Sequence, residues 1–326
     1  SGGAPRATYR LFRALQKSGD KVSYIVNDRK MDDPDIHAVS TFYRTHGFEE
    51  EGLIQKNYID NRRTSISNTY FSVTYNGANL EDNKYVRDSD VINLHWIEKF
   101  VSLKTLSYLV SLGKPLVWTL HDQRPFTGGC HYSAGCNGYK LSSCDNCKQL
   151  KKDPCGLPAT VLRAKNEILR NSNLVVVTPS KWLASEASQS ELFNNVRVEV
   201  IPNSLETHMF YPRDMAAARS KLNIPENSFV ILAGSHDNRE LRKGYSQYIK
   251  AVKLCLKQSD FNNRARQGEV VVLSIGAAAR SGLEGYVRHI DFGTVSNDES
   301  LAEIYSAADV YVMATLCLLY TSDAAD

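Results

Sequence analysis

The chain has 326 residues, of which 42% are hydrophobic and 23% charged, with a formal net charge of +3. That length suits about two domains, each with its own core. The charge is too small and too dispersed to argue for nucleic acid, and no apolar run approaches the roughly 18 residues of a membrane span. No secretory signal pattern opens the chain. Four of its seven cysteines fall between Cys130 and Cys147. A local cluster in a large, signal-free chain argues for a reducing compartment over a disulfide framework. The expected location is cytoplasmic, with a mildly basic pI permitting weak peripheral contact at the inner membrane face.

In chain order, Pro5–Gly19 predicts a helix with a Leu/Phe face and a terminal glycine. Strands are predicted at Lys21–Val26, Asp90–Leu94, Pro115–Leu120, Asn173–Thr178 and Val196–Ile201. Several are apolar throughout, as strands covered on both faces are. Helices are predicted at Val101–Leu112, Ala159–Asn171 and Lys181–Ser190, while the polar stretch from Met31 to Lys84 yields no clear element. "PNSLETHMFYPRD" (Pro202–Asp214) has no period and prolines at both ends, which reads as a linker. A second βα series follows: strand Ser228–Gly234, helix Tyr245–Gln258, strand Glu269–Gly276, "YVRHIDFG", a helix capped by Asn297, and "DVYVM". Alternating strands and helices predict an α/β protein of two doubly wound, parallel-sheet domains.

The expected boundaries are 1–203 for the first domain, with a Cys-rich insertion at 127–150, then a linker at 204–226 and a partial second domain at 227–316. Residues 317–326 follow "ADVYVMATL" without turn or helix logic, and Ser1-Gly2-Gly3 opens without a methionine. The chain is therefore expected to be an internal fragment with native sequence ending near Leu316 and a non-native tail.

In open α/β sheets, ligands bind at the carboxyl ends of strands. His121 and Asp122 directly follow the strand "PLVWTL", and His95 directly follows "DVINL". For His95 the competing reading, a strand cap packed into the core, is the favoured one; for His121, with Asp122 and a glycine-rich turn after it, the functional reading is. The same rule rejects "DSD" (Asp88–Asp90), whose Asp-x-Asp form precedes its strand and so falls at the opposite edge. Gly2 and Gly3 open a helix, where backbone N–H groups and the helix dipole favour phosphate, and a flexible terminus explains them almost as well. "RELRKG" (Arg239–Gly244) lies between a strand and a helix, where its cations could neutralise a leaving diphosphate or simply face solvent. No Walker loop, G-x-S-x-G elbow or G-x-G-x-x-G fingerprint occurs.

Cys130, Cys136, Cys144 and Cys147 have the spacing C-x5-C-x7-C-x2-C. The last pair has zinc-knuckle spacing and the first is wider than usual. Two readings stay open, a closed structural zinc site and free, redox-variable thiols. A catalytic zinc is disfavoured, since four cysteine ligands leave no open coordination position.

In this order, "GGAPRATYRLFRAL", "DVINLHWI", "KPLVWTLHDQRPFTGGCHY", "VVTPSKWLA", "VIPN", "RKG" and "LAEIYSAADVYV" resemble bacterial glycosyltransferase family 4, the group 1 transferases of the GT-B fold. The resemblance covers nearly the whole chain to about Leu316. It implies two Rossmann-like domains facing a cleft that holds a UDP- or GDP-type nucleotide-sugar donor. It also implies retention of anomeric configuration, no obligatory metal cofactor, and a saccharide or lipid-linked acceptor in exopolysaccharide or lipopolysaccharide synthesis. By the same resemblance, Gly2 and Gly3 match the glycine loop near the donor diphosphate, and His121 the position contacting the transferred sugar. Lys243 with Arg242 matches the basic pair gripping the diphosphate. His95 and Asp122, placed by the strand-end rule and not by the resemblance, are candidate sugar or acceptor contacts.

Two departures stand out. Gly234-Ser235 replaces the family's Gly-Arg, and the family's acidic pair would begin beyond Leu316. Two readings of other classes are carried alongside: a non-catalytic, zinc-stabilised interaction module, and a GT-B-like nucleotide-sugar epimerase.

Overall fold

The computed structural model describes residues 3–29, 31–39, 52–67, 69–73, 76–141, 143–277 and 281–315. Two compact units are present, one within Ser1–Ser204 and one within Leu205–Leu318.

In the first unit, α1 (Gly3–Lys17) buries Thr8 and Phe12, and the Phe12 ring lies 5.4 Å from that of Tyr24. Tyr24 begins β1 (Tyr24–Val26), which pairs in parallel with β2 (Ile36–Ala38) as a separate two-stranded sheet. The main sheet runs β3 (Ile92–Leu94), β4 (Leu116–Thr119), β5 (Leu174–Thr178) and β6 (Arg197–Val200), every neighbour parallel. Helices α2 (Leu103–Ser111), α3 (Leu157–Leu169) and α4 (Lys181–Ser188) connect these strands. Side-chain caps set two helix starts: Ser102 accepts from the Thr105 N–H at 3.2 Å, and Ser180 from the Leu183 N–H at 3.2 Å. Trp118 of β4 is fully buried, its ring edge-on to Phe193 at 6.2 Å.

The second unit orders its parallel strands β10-β7-β8-β9, where β7 is Phe229–Asp237, β8 Val270–Ala277, β9 Arg288–Asp291 and β10 Val310–Tyr311. The run "VVVL" in β8 splits its side chains between two cores, as strand geometry requires. Val270 and Val272 pack with Tyr245, Ile249 and Val252 of α6 (Tyr245–Cys255), whereas Val271 and Leu273 pack with Ala218, Ile304 and Ala307. Ala218 belongs to α5 (Met215–Lys221), and Ile304 and Ala307 to α8 (Asp298–Ala307). Both faces of the sheet are covered, which is the doubly wound arrangement.

Among the elements that differ from expectation, three have a clear physical reason. β2 lies in the stretch that yielded no element, and its three residues are too few to show alternation. α7 (Ser259–Arg266) was hidden by its polarity, since Ala265 is its one buried residue. The expected linker contains α5, capped by Asp214. α5 belongs to the core because the buried Arg219 donates to the Ala307 carbonyl at 3.0 Å and to Asp309 at 2.7 Å.

Candidate functional site

Parallel pairing places Leu94 of β3 opposite Trp118 of β4, so the residues after both strands emerge at one carboxyl edge. There His95 Nδ1 lies 3.0 Å from His121 Nε2. Asp122 is buried next to them and accepts three hydrogen bonds. Trp96 Nε1 donates to Oδ2 at 3.1 Å, His131 Nδ1 to the same oxygen at 2.6 Å, and the Arg124 N–H to Oδ1 at 3.0 Å. A carboxylate only accepts, so His131 carries its proton on Nδ1. The opposite nitrogen, Nε2, lies 2.8 Å from the Ser72 hydroxyl and 3.9 Å from Glu98. Glu98 in turn pairs with Arg124 at 2.9 Å, both side chains being buried. Beneath the turn that follows, the buried ammonium of Lys165 donates to the carbonyls of Arg124, Pro125 and Thr127 at 2.8, 3.2 and 2.9 Å.

The electrostatics follow from burial. Desolvation, and then each other's proximity, push His95 down to about 3, and desolvation pushes His121 to about 4 despite the Asp122 charge. Burial alone would raise Asp122, but the charge and hydrogen bonds of His131, with Arg124, hold it below the usual carboxylate range. Burial and Arg124 lower Lys165 to about 7. At neutral pH the edge therefore presents a neutral imidazole pair beside an ionised carboxylate. Trp96 and Tyr70, 44% and 37% exposed, give it accessible aromatic walls.

The histidine pair carries a pH prediction. Both rings stay neutral when folded but protonate near the ordinary value of 6.5 when unfolded. Between about pH 6.5 and 3, the folded values being about 4 for His121 and about 3 for His95, the unfolded chain binds more protons, so stability is full above that window and is lost as pH falls through it. The expected scale for His121 is about 3 kcal/mol. Urea midpoints followed across this window should flatten in His121→Gln. Parallel profiles for the variant and the parent would count against the pair.

Among the other predicted residues, Gly2 lies outside the described residues. Gly3 opens α1, but a Cβ added there meets nothing within 4 Å, so no close approach demands glycine. Arg242 and Lys243 form a single turn, Leu241–Lys243, after β7. Arg242 pairs with Glu240 at 2.6 Å, and Arg239 with Asp237 at 2.8 Å. Gly244 follows at φ +73, where a Cβ would stand 1.7 Å from the Ala314 carbonyl oxygen, and α6 starts immediately after. The turn is thus fixed at the N-terminus of an eleven-residue helix. Asp88 and Asp90 are exposed before β3, at the edge away from the histidines.

Cys130, Cys136, Cys144 and Cys147 carry free thiols. Among the described residues no three His, Cys, Asp or Glu side chains are arranged to hold a metal, so the cysteines do not form the closed ligand set that their spacing suggested. Sequence reasoning missed His131, Glu98, Arg124, Ser72 and Lys165. Lys165 was visible in principle, because Val161, Leu162, Lys165 and Leu169 share the buried face of α3. A lysine in that register signals a buried partner.

No family model matches the chain, and no curated protein matches it. Solved structures do. HepE of Anabaena, in complex with UDP and glucose, superposes with a TM-score of 0.53 at 15% identity over 97% of this chain and 72% of HepE. WaaG, a glycosyltransferase involved in lipopolysaccharide biosynthesis, gives 0.51 at 13% identity over 97% and 72%. The trehalose-6-phosphate synthase OtsA gives 0.53 at 14% identity over 97% and 75%. No described helix is long and apolar enough to cross a membrane. With two parallel, four-stranded units and these likenesses, the chain has the GT-B fold.

Proposed function

We propose that this protein is a retaining glycosyltransferase that moves a sugar from a UDP- or GDP-linked donor to a saccharide or lipid-linked acceptor in cell-surface polysaccharide synthesis. The observation that carries the reading is the His95–His121 pair, with Asp122 and Trp96, at the carboxyl edge of β3 and β4. Support also comes from HepE, which shares the fold and was solved with UDP and glucose. A neutral imidazole pair can exchange hydrogen bonds with sugar hydroxyls without adding charge, and Trp96 offers an apolar face to a pyranose ring. In this reading His121 orients the reacting sugar, and His95 and Asp122 hold His121 and its surroundings in place. Arg242 and Lys243, at the start of α6, take the leaving diphosphate together with helix N–H donors.

The test is nucleotide release from a panel of UDP- and GDP-sugars, with and without acceptor, in the full-length protein. Acceptor-dependent release should fall by about 10²-fold in His121→Ala, on the scale of losing one oriented donor. Turnover that needs no acceptor would indicate an epimerase instead. The absence of any nucleotide-dependent thermal shift would leave no transferase to explain.

A further inference from the structure

The turn that carries Arg242 and Lys243 is fastened on one side, where the Thr315 hydroxyl donates to the Arg242 carbonyl at 2.8 Å. Its other end runs through Gly244 straight into α6, whose first residue is the buried Tyr245. A phenol buried at such a place needs a partner for its O–H. Tyr245 finds one in a chain of polar side chains that lies wholly within the second unit.

Tyr245 Oη lies 2.7 Å from Ser274 Oγ, near the carboxyl end of β8. Ser274 Oγ lies 2.9 Å from His289 Nε2, and His289 Nδ1 lies 3.1 Å from Ser281 Oγ. Ser281 Oγ reaches Glu284 Oε1 at 3.4 Å and also accepts the Leu283 N–H at 3.3 Å. Strand register builds the middle of the chain. His289 of β9 is opposite Val272 of β8, so Ser274, two residues on, projects from the same face as Val272. That face is the one α6 covers, since Val272 and Tyr245 share a core.

The two ends fix the direction of every bond. Among the described residues Ser274 is the partner of the Tyr245 hydroxyl, so Tyr245 donates and Ser274 accepts. The reverse would leave a buried O–H unpaired, at a cost of about 1–3 kcal/mol. Ser274 then donates to His289 Nε2, His289 donates from Nδ1 to Ser281, and Ser281 donates to the Glu284 carboxylate, which only accepts. Burial lowers His289 despite the Asp291 and Glu284 charges, so at neutral pH its ring carries one proton. Its neighbours decide which nitrogen holds that proton, and here it is Nδ1.

We propose that Tyr245 is a positioning residue: through Ser274, His289 and Ser281 it ties the start of α6, and with it the Arg242–Lys243 turn, to the end of β8 and the loop after it. Gly244, locked at φ +73 against Ala314, passes the position of Tyr245 on to the two cations. The consequence for a diphosphate rests on the transferase function proposed for this chain; the tie itself does not.

Nitrogen NMR of the unmodified chain should find His289 as the Nδ1–H tautomer, its signals assigned by their loss in His289→Gln. The amide hydrogens of Lys243, Gly244 and Tyr248 bond to the Glu240, Leu241 and Gly244 carbonyls and report on the turn. Their exchange should quicken about 5- to 10-fold in Tyr245→Phe, the scale of one hydrogen bond. Acceptor-dependent kcat should fall by the same factor of about 5–10 in this variant. In a Lys243→Ala background Tyr245→Phe should cost nothing further, whereas a general loss of stability would still show. An Nε2–H tautomer at His289, or unchanged exchange at the three amides, would overturn the proposal. So would a full Tyr245→Phe effect on turnover in the Lys243→Ala background. If the parent turns over no nucleotide sugar, the transferase function fails by itself, and tautomer and exchange still decide the tie. The tautomer is read on the unmodified chain, so it decides even if Tyr245→Phe does not fold.

Discussion

Asp122→Ala lowers the stability of the folded chain by about 3–5 kcal/mol, the scale of leaving a buried ionic network without one of its partners. The carboxylate accepts from Trp96 Nε1, His131 Nδ1 and the Arg124 N–H. Removing it takes the acceptor from three donors, two of them on the buried residues His131 and Arg124. The loss spreads further, because the His131 carbonyl accepts from the Gln123 N–H at 3.0 Å and His131 also contacts Ser72. Asp122→Asn keeps the shape but replaces one acceptor oxygen with a donor, so it should fall between the parent and Asp122→Ala. Urea denaturation checks the order. A loss below about 0.5 kcal/mol in Asp122→Ala, the range of ordinary surface changes, would show that the carboxylate is not the hub of this edge.

The second large effect is on the reaction itself. If the protein transfers sugars as proposed, Lys243→Ala should reduce acceptor-dependent turnover by about 10²-fold or more. Three features focus charge at this position: the cation, the N-terminal N–H groups of α6, and a backbone locked by Gly244 against Ala314. Arg242 contributes less in this account because Glu240 balances its guanidinium at 2.6 Å. Lys243→Arg should recover part of the rate, since charge is retained. Comparing kcat with KM separates the cases: an effect in kcat shows that the cation acts on the charge developing in the transition state. An unchanged rate in Lys243→Ala would remove the residue from the mechanism.

Much of this was legible in the sequence because the relevant information is local. The apolar runs around Trp118, Val176 and Val271 announce buried parallel strands, and the strand-end rule then puts His95, His121 and Asp122 at one edge. The favoured reading of His95 as a strand cap missed its partner, since only parallel pairing brings it to His121. The residues that pack behind this edge were hidden for a different reason. His131 and Ser72 are 59 positions apart, and Lys165 is 41 from Arg124, so their meeting depends on how the loop folds back. Composition carries no trace of such closures. The helix Met215–Lys221 was obscured by its flanking prolines, and its role appears only through the contacts of Arg219.

The register of β3 on β4 has one more consequence. His95 and His121 meet because each leaves its strand on the same side of the pleat. Side chains alternate with a period of two, so a single inserted residue inside either strand would turn its histidine to the opposite face. An insertion in the helical connection between them would leave that parity untouched. Evolution is thus free to lengthen what lies between these strands, but not to change the odd or even count within them.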